Sequence, residues 1–404
     1  MSASKPVRVL LLEQIHPSAV EILQSAGFEV TSVDRALDED ELIDAIGEVD
    51  LLGIRSKTHV TDRVLAAAPN LIAIGAFCIG TNQIDLLSAT AHGVTVFNAP
   101  FSNTRSVVEM AIAELIALTR GLFEKNALMH EGVWDKSAAG AHEIRGRTLG
   151  IVGYGNIGTQ LSVLAENLGM RVLFYDTTDR LALSNARRCG SLKELLHDSD
   201  VVTLHVDGRP ENRNIFGEAE FGAMREGSIF LNLSRGFVVD YAALRTHLES
   251  GHIAGAAVDV FPVEPKGRGD EFVSELRGLP NVVLTPHIGG STEEAQQDIG
   301  QFVAGKFRDF VAEGSTALSV NLPGLDLPRR EGSLRMVHLH RNVPGVLARI
   351  NGLLAEHEVN VEAQLLGTKG EVGYVVTDSA SGVTQAIVDQ IRAMPETLRL
   401  RVVF

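Results

Sequence analysis

Short apolar segments alternate with helical patterns along the first hundred residues of the chain. The segments that read as strands are Val7–Leu12, Phe28–Val33, Leu51–Ile54, Leu71–Ala76 and Val94–Phe97. Between them, apolar residues recur at the three- and four-residue spacing of an amphipathic helix. Strands that alternate with helices predict a mostly parallel sheet covered on both faces, which places the chain in the α/β class.

The segment Leu149–Asp176 carries the most specific pattern. An apolar run leads into Gly153-Tyr154-Gly155-Asn156-Ile157-Gly158, and a helical pattern and a second apolar run follow before Asp176. In such a unit the glycines permit a tight turn and close approach of backbone to a pyrophosphate, and the helix N-terminus favours phosphate charge. Asp176 lies where a carboxylate binds a ribose diol. Because that carboxylate repels a 2′-phosphate, the segment predicts a site for NAD rather than NADP.

Polar residues follow other predicted strands at the point where each strand ends. They are Arg55-Ser56, His205, Ser234-Arg235, Asp259 and His287. Since ligands of open α/β sheets bind outside the carboxyl ends of the strands, we expect these residues to line binding crevices. A surface salt bridge is the alternative for Arg55. Asn103, at the start of the next helix, either contacts substrate or only caps the helix.

Arg235, Glu264 and His287 have the chemistry that a 2-hydroxy acid requires beside a nicotinamide. An arginine binds a carboxylate with two hydrogen bonds. A histidine titrates near neutrality and can take the hydroxyl proton. A carboxylate next to that histidine orients the ring and raises its pKa. A structural histidine and a solvated loop acid are the alternatives. Histidine and cysteine spacing predicts no metal site.

The last seventy residues have a separate pattern. It predicts strands at Arg335–His340, Val359–Leu366, Val372–Thr377 and Leu398–Phe404, with helices at Pro344–Ala355 and Val383–Met394. The order βαββαβ indicates a small ferredoxin-like module. The preceding segment Gly314–Arg330 reads as a linker, and Thr104–Glu131 reads as one long helix.

Composition narrows the classes of function. The chain has 404 residues and a net charge of −15, which predicts two or three domains and disfavours nucleic acid and anionic membranes as partners. Apolar stretches fall short of the roughly 18 residues that span a bilayer. The two cysteines, Cys78 and Cys189, make neither a disulfide framework nor a metal cluster, which is consistent with the reducing cytoplasm.

Four motifs together resemble the D-isomer-specific 2-hydroxyacid dehydrogenases: Gly153–Gly158, Asn232–Gly236, Asp259–Pro265 and Thr285–Gly290. Three further segments, residues 54–59, 77–82 and 98–106, resemble the branch of that family that acts on 3-phosphoglycerate and carries one C-terminal ACT module. The resemblance implies a Rossmann-like doubly wound nucleotide domain (104–291) inserted in a flavodoxin-like α/β substrate domain (1–103 and 292–330), with the ferredoxin-like ACT module at 331–404.

The resemblance also implies roles for residues. Arg235 would bind the substrate carboxylate, and His287, paired with Glu264, would be the acid/base. The implied NAD ligands are Gly153, Gly155, Asn156, Ile157, Gly158, Asp176, His205, Val206, Ser234, Asp259 and Gly290, and the implied substrate ligands are Arg55, Ser56, Asn103 and Lys136. Asp207 stands where the family often has proline, which leaves the packing of the adenine open.

In the ACT module, the resemblance assigns His340, Asn342 and Asn360 to L-serine, with an ordinary strand end and helix cap as the alternative. A homotetramer is implied as well. The expected reaction is NAD-dependent oxidation of 3-phospho-D-glycerate to 3-phosphooxypyruvate, the first step toward serine, with feedback inhibition by L-serine. Another 2-hydroxy acid, such as 2-hydroxyglutarate, and a non-catalytic NAD-sensing protein are the two alternative functions.

Overall fold

The computed structural model describes residues 5–265, 269–330, 332–380 and 382–403. The chain forms two compact units. It passes from the first unit to the second between Ser102 and Asn103, and it returns between Ala295 and Gln296. The C-terminal module belongs to the first unit, and the three-domain division expected from the sequence stays a prediction.

The first unit begins with a parallel sheet. Residues 5–102 contain strands β1 (Arg8–Leu12), β2 (Glu29–Val33), β3 (Leu51–Ile54), β4 (Ala73–Ala76) and β5 (Thr95–Asn98), and helices α1 (Pro17–Ser25), α2 (Glu39–Ile46), α3 (Asp62–Ala66) and α4 (Leu86–Ala91). The strand order is β2-β1-β3-β4-β5, with every pair parallel. This is the doubly wound order of flavodoxin-like sheets, so the predicted fold of the substrate domain is confirmed.

The second unit opens with helices α5 (Thr104–Arg120) and α6 (Leu122–His130). The prediction of one continuous helix over this stretch is wrong at Gly121. This residue takes the left-handed conformation, with φ of 58°, and its N–H bonds to the carbonyls of Ala117 and Leu118. A glycine in that conformation ends a helix, because it satisfies the last carbonyls at little steric cost.

The second unit also holds the larger parallel sheet. Its described strands are β6 (Thr148–Val152), β7 (Arg171–Tyr175), β8 (Arg187–Arg188), β9 (Val201–Leu204), β10 (Ser228–Asn232), β11 (Ile253–Val258) and β12 (Val282–Leu284), and its further helices are α7 (Asn156–Asn167), α8 (Leu192–Asp198), α9 (Glu218–Ala223) and α10 (Tyr241–Glu249). The strand order is β12-β11-β10-β9-β6-β7-β8. Apolar clusters bury both faces. The order reverses between β6 and β9, which is the point where such sheets bind nucleotides.

Helix α11 (Glu293–Glu313) returns the chain to the first unit. Its Val303 and Phe307 pack on β4 at Gly75, where a Cβ atom would lie only 2.5 Å from Val303 Cγ1. A larger residue at position 75 would therefore push the helix off the sheet. Ile299, Val303, Phe307 and Phe310 complete the core on that face.

The segment 314–330 is not a free linker, which corrects the expectation from its prolines. Asn321 is buried, its Oδ1 accepts the Val96 N–H at 2.8 Å, and its Nδ2 donates to the Val94 carbonyl at 2.8 Å. The Val320 N–H also bonds to the Val96 carbonyl. The segment thus covers β5, an edge strand whose backbone groups would otherwise be unpaired.

The C-terminal module is an antiparallel sheet with helices on one face. Its described elements are β13 (Leu334–Arg341), α12 (Val346–Glu356), β14 (Val361–Lys369), β15 (Val372–Ser379), α13 (Gln385–Arg392) and β16 (Thr397–Val403), with strand order β14-β15-β13-β16. Met336, Ile350 and Ile387 belong to the core under the helices. The predicted ferredoxin-like module is confirmed.

Across the described residues, every helix falls short of the length and apolarity that crossing a bilayer requires.

Candidate active site

The turn between β6 and α7 has the geometry of a pyrophosphate cradle. Gly153 has φ of 92°, and a Cβ atom there would lie 2.5 Å from the His205 carbonyl oxygen. A Cβ on Gly158 would meet the Gly153 carbonyl, so the helix lies against the turn. Gly155, in contrast, faces open space, and Asn156 beside it is exposed. The backbone N–H groups at the start of α7 are therefore accessible to an anionic ligand.

Asp176 follows β7 and is held by its neighbours. Its Oδ2 accepts the Tyr154 N–H at 2.8 Å, and its Oδ1 accepts the N–H and hydroxyl of Thr178 at 2.8 Å each. Burial acts to raise the pKa of Asp176, but these hydrogen bonds and the charge of Arg180 outweigh it and hold the pKa below its usual value. The group is therefore an anion at neutral pH, which suits a ribose diol and opposes a 2′-phosphate.

His205 and Val206 follow β9, across the turn from Gly153. The His205 Nε2 lies 3.0 Å from the Thr203 hydroxyl, and burial lowers its pKa to about 4, so the ring is neutral. Within the described chain, the buried Nδ1 has no hydrogen-bond partner. Asp207 forms an ion pair with Arg209, with Nε 2.7 Å from Oδ1. Together with the glycine turn and Asp176, these residues fit the NAD site expected from the sequence.

The turn that carries Ser234 and Arg235 is fixed by two residues for which the sequence predicts no role. Asn232 Oδ1 accepts the N–H and hydroxyl of Ser234 at 3.1 and 2.8 Å, and its Nδ2 donates to the Arg235 carbonyl at 3.1 Å. Tyr241 accepts from Asn232 at 3.2 Å and donates to the Val260 carbonyl at 2.6 Å. Asn232 could have been found from the sequence, because it lies at the end of a strand as the predicted ligands do. No local sequence pattern indicates a role for Tyr241.

Asp259 holds the loop that carries His287. Its Oδ1 accepts the Thr285 hydroxyl at 2.6 Å and the Ile288 N–H at 2.8 Å, and its Oδ2 accepts the Gly289 N–H at 2.8 Å. His287 has φ of 55°, a left-handed conformation that a non-glycine residue keeps only where its surroundings enforce it. The structure therefore gives Asp259 a supporting role, and its contact with NAD stays a prediction.

His287 and Glu264 are hydrogen-bonded to each other. The His287 Nδ1 lies 2.9 Å from Oε2 and 3.1 Å from Oε1 of Glu264. The hydrogen bond to Glu264 raises the pKa of His287 against the opposing effect of burial. Burial raises the pKa of Glu264, but His287 outweighs it and lowers the pKa overall. Arg235 acts on both groups through its charge, so all three predicted catalytic residues share one electrostatic environment.

Two polar side chains in the second unit have buried oxygen atoms without a hydrogen-bond partner among the described residues. Asn103 packs against Gly290, where a Cβ atom would meet its amide, and the Asn103 Oδ1 is unpartnered. Glu114 on α5 is buried with both carboxyl oxygens unpartnered. Burial and the nearby charge of Asp259 raise the pKa of Glu114 to about 8, so it is mostly protonated at neutral pH. The sequence did not indicate a role for Glu114, because it lies within the apolar pattern of a helix.

The other predicted ligands lie elsewhere. In the first unit, Arg55 and Ser56 follow β3, and both are accessible. Lys136 is exposed in the loop after α6. In the ACT module, His340 is the next-to-last residue of β13, with Nδ1 2.8 Å from the Arg341 carbonyl and a buried, unpartnered Nε2 among the described groups. Asn342 donates to the Gly370 carbonyl at 3.1 Å, and Asn360 is exposed before β14.

Among the described residues, no three His, Cys, Asp or Glu side chains are grouped so that they could hold a metal ion.

Two family models match parts of this chain. The family described as "D-isomer specific 2-hydroxyacid dehydrogenase, NAD binding domain" matches residues 112–289, and an "AHAS small subunit-like ACT domain" matches residues 336–399. Among solved structures, a D-lactate dehydrogenase from Aquifex aeolicus, complexed with NAD and lactic acid, has a TM-score of 0.69 at 25% identity and covers 78% of this chain and 100% of its own. The expected dehydrogenase class, NAD cofactor and ACT module are confirmed.

Relatives that match nearly the whole chain identify the branch of the family to which it belongs. The D-3-phosphoglycerate dehydrogenase of Escherichia coli K12 is 49% identical over 98% of both chains. That of Haemophilus influenzae is 48% identical over 98% of this chain and 97% of its own, and that of Dictyostelium discoideum is 47% identical over 98% and 97%. The chain therefore belongs to the D-3-phosphoglycerate dehydrogenases, within the D-isomer-specific 2-hydroxyacid dehydrogenase family.

Proposed function

We propose that this enzyme catalyses the reversible, NAD-dependent oxidation of 3-phospho-D-glycerate to 3-phosphooxypyruvate, the first step of L-serine biosynthesis. The observation that carries the proposal is the hydrogen bond between His287 and Glu264 at 2.9 Å, under the influence of the Arg235 charge, in the unit that holds the glycine turn. The near-full-length relatives named for this reaction support the substrate.

In the mechanism, His287 is the acid/base. In the oxidation direction its neutral Nε2 takes the proton of the substrate hydroxyl, while Nδ1–H donates to Glu264, which stabilises the imidazolium that forms. Arg235 binds the substrate carboxylate. NAD held at the glycine turn and Asp176 would supply the acceptor for the hydride of the carbon that carries the hydroxyl. In the reverse direction, protonated His287 returns the proton to the carbonyl oxygen.

Binding roles are proposed for the remaining residues. The glycine turn with Asn156 and Ile157 would hold the pyrophosphate, and Asp176 the ribose. The other proposed NAD ligands are His205, Val206, Ser234, Asp259 and Gly290. Arg55, Ser56, Asn103 and Lys136 are proposed to bind substrate; Arg55 and Lys136 carry the positive charge that a phosphorylated acid requires.

We also propose an effector, an oligomeric state and a cellular location. L-serine would bind the ACT module at His340, Asn342 and Asn360, where the unpartnered His340 Nε2 offers an acceptor to the effector. A homotetramer and a cytoplasmic location are also proposed. The exposed side chains of Leu122, Phe123 and Trp134 support self-association.

A turnover assay tests the activity. Purified protein is given NADH with phosphooxypyruvate, and NAD with 3-phospho-D-glycerate, D-lactate or D-2-hydroxyglutarate, and specificity constants are compared. We expect 3-phospho-D-glycerate to be the best hydroxy acid. A higher constant for 2-hydroxyglutarate would assign a different substrate. NADH binding without turnover of any acid would instead support an NAD-sensing protein.

A further inference from the structure

Glu13 lies at the turn after β1. Like Arg55, which follows β3, it lies at the carboxyl ends of the strands of the first sheet. It is a buried carboxylate, 7% exposed, in a left-handed conformation with φ of 66°. A non-glycine residue in this conformation is strained, and a charged group loses hydration when buried. Both costs require compensation from the surroundings.

The compensation comes from the loop that follows β3. Glu13 Oε1 accepts the N–H of Arg55 at 3.2 Å and that of Thr58 at 2.8 Å, and its Oε2 accepts the N–H of Lys57 at 3.0 Å. Three backbone donors thus converge on one side chain, 42 to 45 positions earlier in the chain. Hydrogen bonds to a charged acceptor are about twice as strong as neutral ones.

Gln83 holds the same loop from the carbonyl side. It is buried, 4% exposed, and its Nε2 donates to the Arg55 carbonyl at 2.5 Å. The backbone of Arg55 is therefore fixed through its N–H by Glu13 and through its carbonyl by Gln83. Ser56, between these contacts, stays exposed.

The Arg55 guanidinium keeps its charge available. Its Nη1 contacts the main-chain carbonyl of Glu13 at 3.5 Å, and no carboxylate in the described part of the chain lies within ion-pair distance. The Glu13 carboxylate, although adjacent, is occupied by the three N–H groups. The arrangement therefore uses a negative charge to shape the loop without neutralising the cation that the loop presents.

We propose that Glu13 and Gln83 are positioning residues that clamp the loop Arg55–Thr58 in the conformation that binds the anionic end of the substrate. This inference rests on the proposed function, because it takes Arg55 as a substrate ligand. A carboxylate is needed at position 13 because both of its oxygens accept hydrogen bonds, and two accepting oxygens are required to bind the three N–H groups of the loop. An amide has one acceptor oxygen and would set an NH₂ group against a backbone N–H.

Steady-state kinetics of E13Q and E13A give the first test. The KM for 3-phospho-D-glycerate should rise about tenfold in E13Q, which corresponds to about 1.4 kcal/mol, and further in E13A, with a smaller fall in kcat. The KM for NAD should stay unchanged, since the nucleotide site lies in the other unit. E21Q is the matched control, because Glu21 is exposed on α1. Equal rises in both KM values, or none, would overturn the proposal.

A double-mutant cycle separates positioning from general stability. If Glu13 acts through the loop, E13Q should add little to the KM of R55A, because the interaction it supports is already lost. An additive effect would show that Glu13 acts elsewhere. Q83L should raise the same KM and be non-additive with R55A.

Amide hydrogen exchange tests the clamp without any substrate. The amides of Arg55, Lys57 and Thr58 should be protected in the wild-type protein and exchange faster in E13A, while strand β4 stays protected. Unchanged exchange in these residues refutes the clamp. If the clamp passes this test but the wild-type protein does not turn over 3-phospho-D-glycerate, the proposed substrate is wrong and the clamp stands.

Discussion

Replacing Glu264 by glutamine should move the pH dependence of the reaction to lower pH. The hydrogen bond that His287 donates to the Glu264 carboxylate is the main cause of the raised pKa of His287, so a neutral partner must lower that pKa. Reduction of the keto acid needs protonated His287, and its rate is lost as pH rises through the pKa of His287. Oxidation needs the neutral ring, and its rate rises through the same pKa. Both transitions should therefore shift downward in E264Q.

The expected loss of rate is moderate because water screens the pair. The His287 side chain is 50% exposed and that of Glu264 is 38% exposed. Two charges about 4 Å apart interact with about 1 kcal/mol in water and about 4 kcal/mol at an effective dielectric constant of 20. Half-exposed side chains lie toward the lower limit. A loss of about 1–2 kcal/mol corresponds to a fall in kcat of about 5- to 30-fold.

Glutamine keeps an acceptor for the His287 Nδ1–H, so the ring should keep its orientation and tautomer. Removing the acid/base itself with H287N should cost more, about 10²- to 10⁴-fold in kcat, with little change in NAD affinity. The rank order should therefore be wild type, then E264Q, then H287N.

The assay measures kcat and kcat/KM in both directions from about pH 5 to about pH 9, the range over which histidines titrate. E271Q is the control, because Glu271 is an exposed acid a short distance along the chain from Glu264. A pH profile of E264Q that coincides with the wild-type profile would refute the assignment of the pair. So would an H287N enzyme that keeps its turnover, or one that loses NAD affinity in proportion.

Three other substitutions test separate parts of the molecule. D176S should lower the preference for NAD over NADP about 10- to 100-fold, measured as the ratio of specificity constants, because two or three hydrogen bonds and a repulsive charge are lost. R335A should reduce the free energy of unfolding by about 3–5 kcal/mol in chemical denaturation, because it leaves the buried Asp378, now paired at 2.6 Å, without its cation. H340A should abolish inhibition by L-serine while kcat without serine stays at the wild-type value.

Each of these expectations has a clear contrary result. An unchanged cofactor ratio in D176S would mean that ribose recognition lies elsewhere. Unchanged denaturation of R335A would mean that the module relaxes to hydrate Asp378. Serine inhibition that survives in H340A, with the same half-inhibitory concentration, would remove the proposed effector site from β13.

Local patterns were sufficient to predict much of the fold and the NAD cofactor. The glycines at 153, 155 and 158 and the acid at 176 belong to one strand–turn–helix–strand unit, so their spacing along the chain dictates their spacing in space. The same holds for the order of strands and helices, because burial on a sheet or helix imposes a period that is visible in the sequence. Gly121 shows the limit of this reading, since one glycine within a helical pattern is compatible with either a continuous or a broken helix.

Local patterns could not assign roles to residues whose partners lie far away along the chain. Glu13 and Arg55 come together because β1 and β3 are neighbours in the sheet, and strand order is a property of the tertiary fold. Asn232 and Tyr241 support the Arg235 turn through side chains whose partners are set by packing. The segment 314–330 has the composition of a linker, yet it binds an edge strand that only the assembled sheet creates.

The sequence by itself thus determined the class of fold and the cofactor, and it predicted three reacting side chains, because each depends on residue type or on short-range periodicity. Only the tertiary structure decided that His287 contacts Glu264, that Asp259 holds the strained His287 loop, and that the Glu13 carboxylate accepts three N–H groups of the loop after β3. The physical reason is that hydrogen bonds and ion pairs depend on distance in space, and distant parts of a chain acquire such distances only when strands and helices pack together.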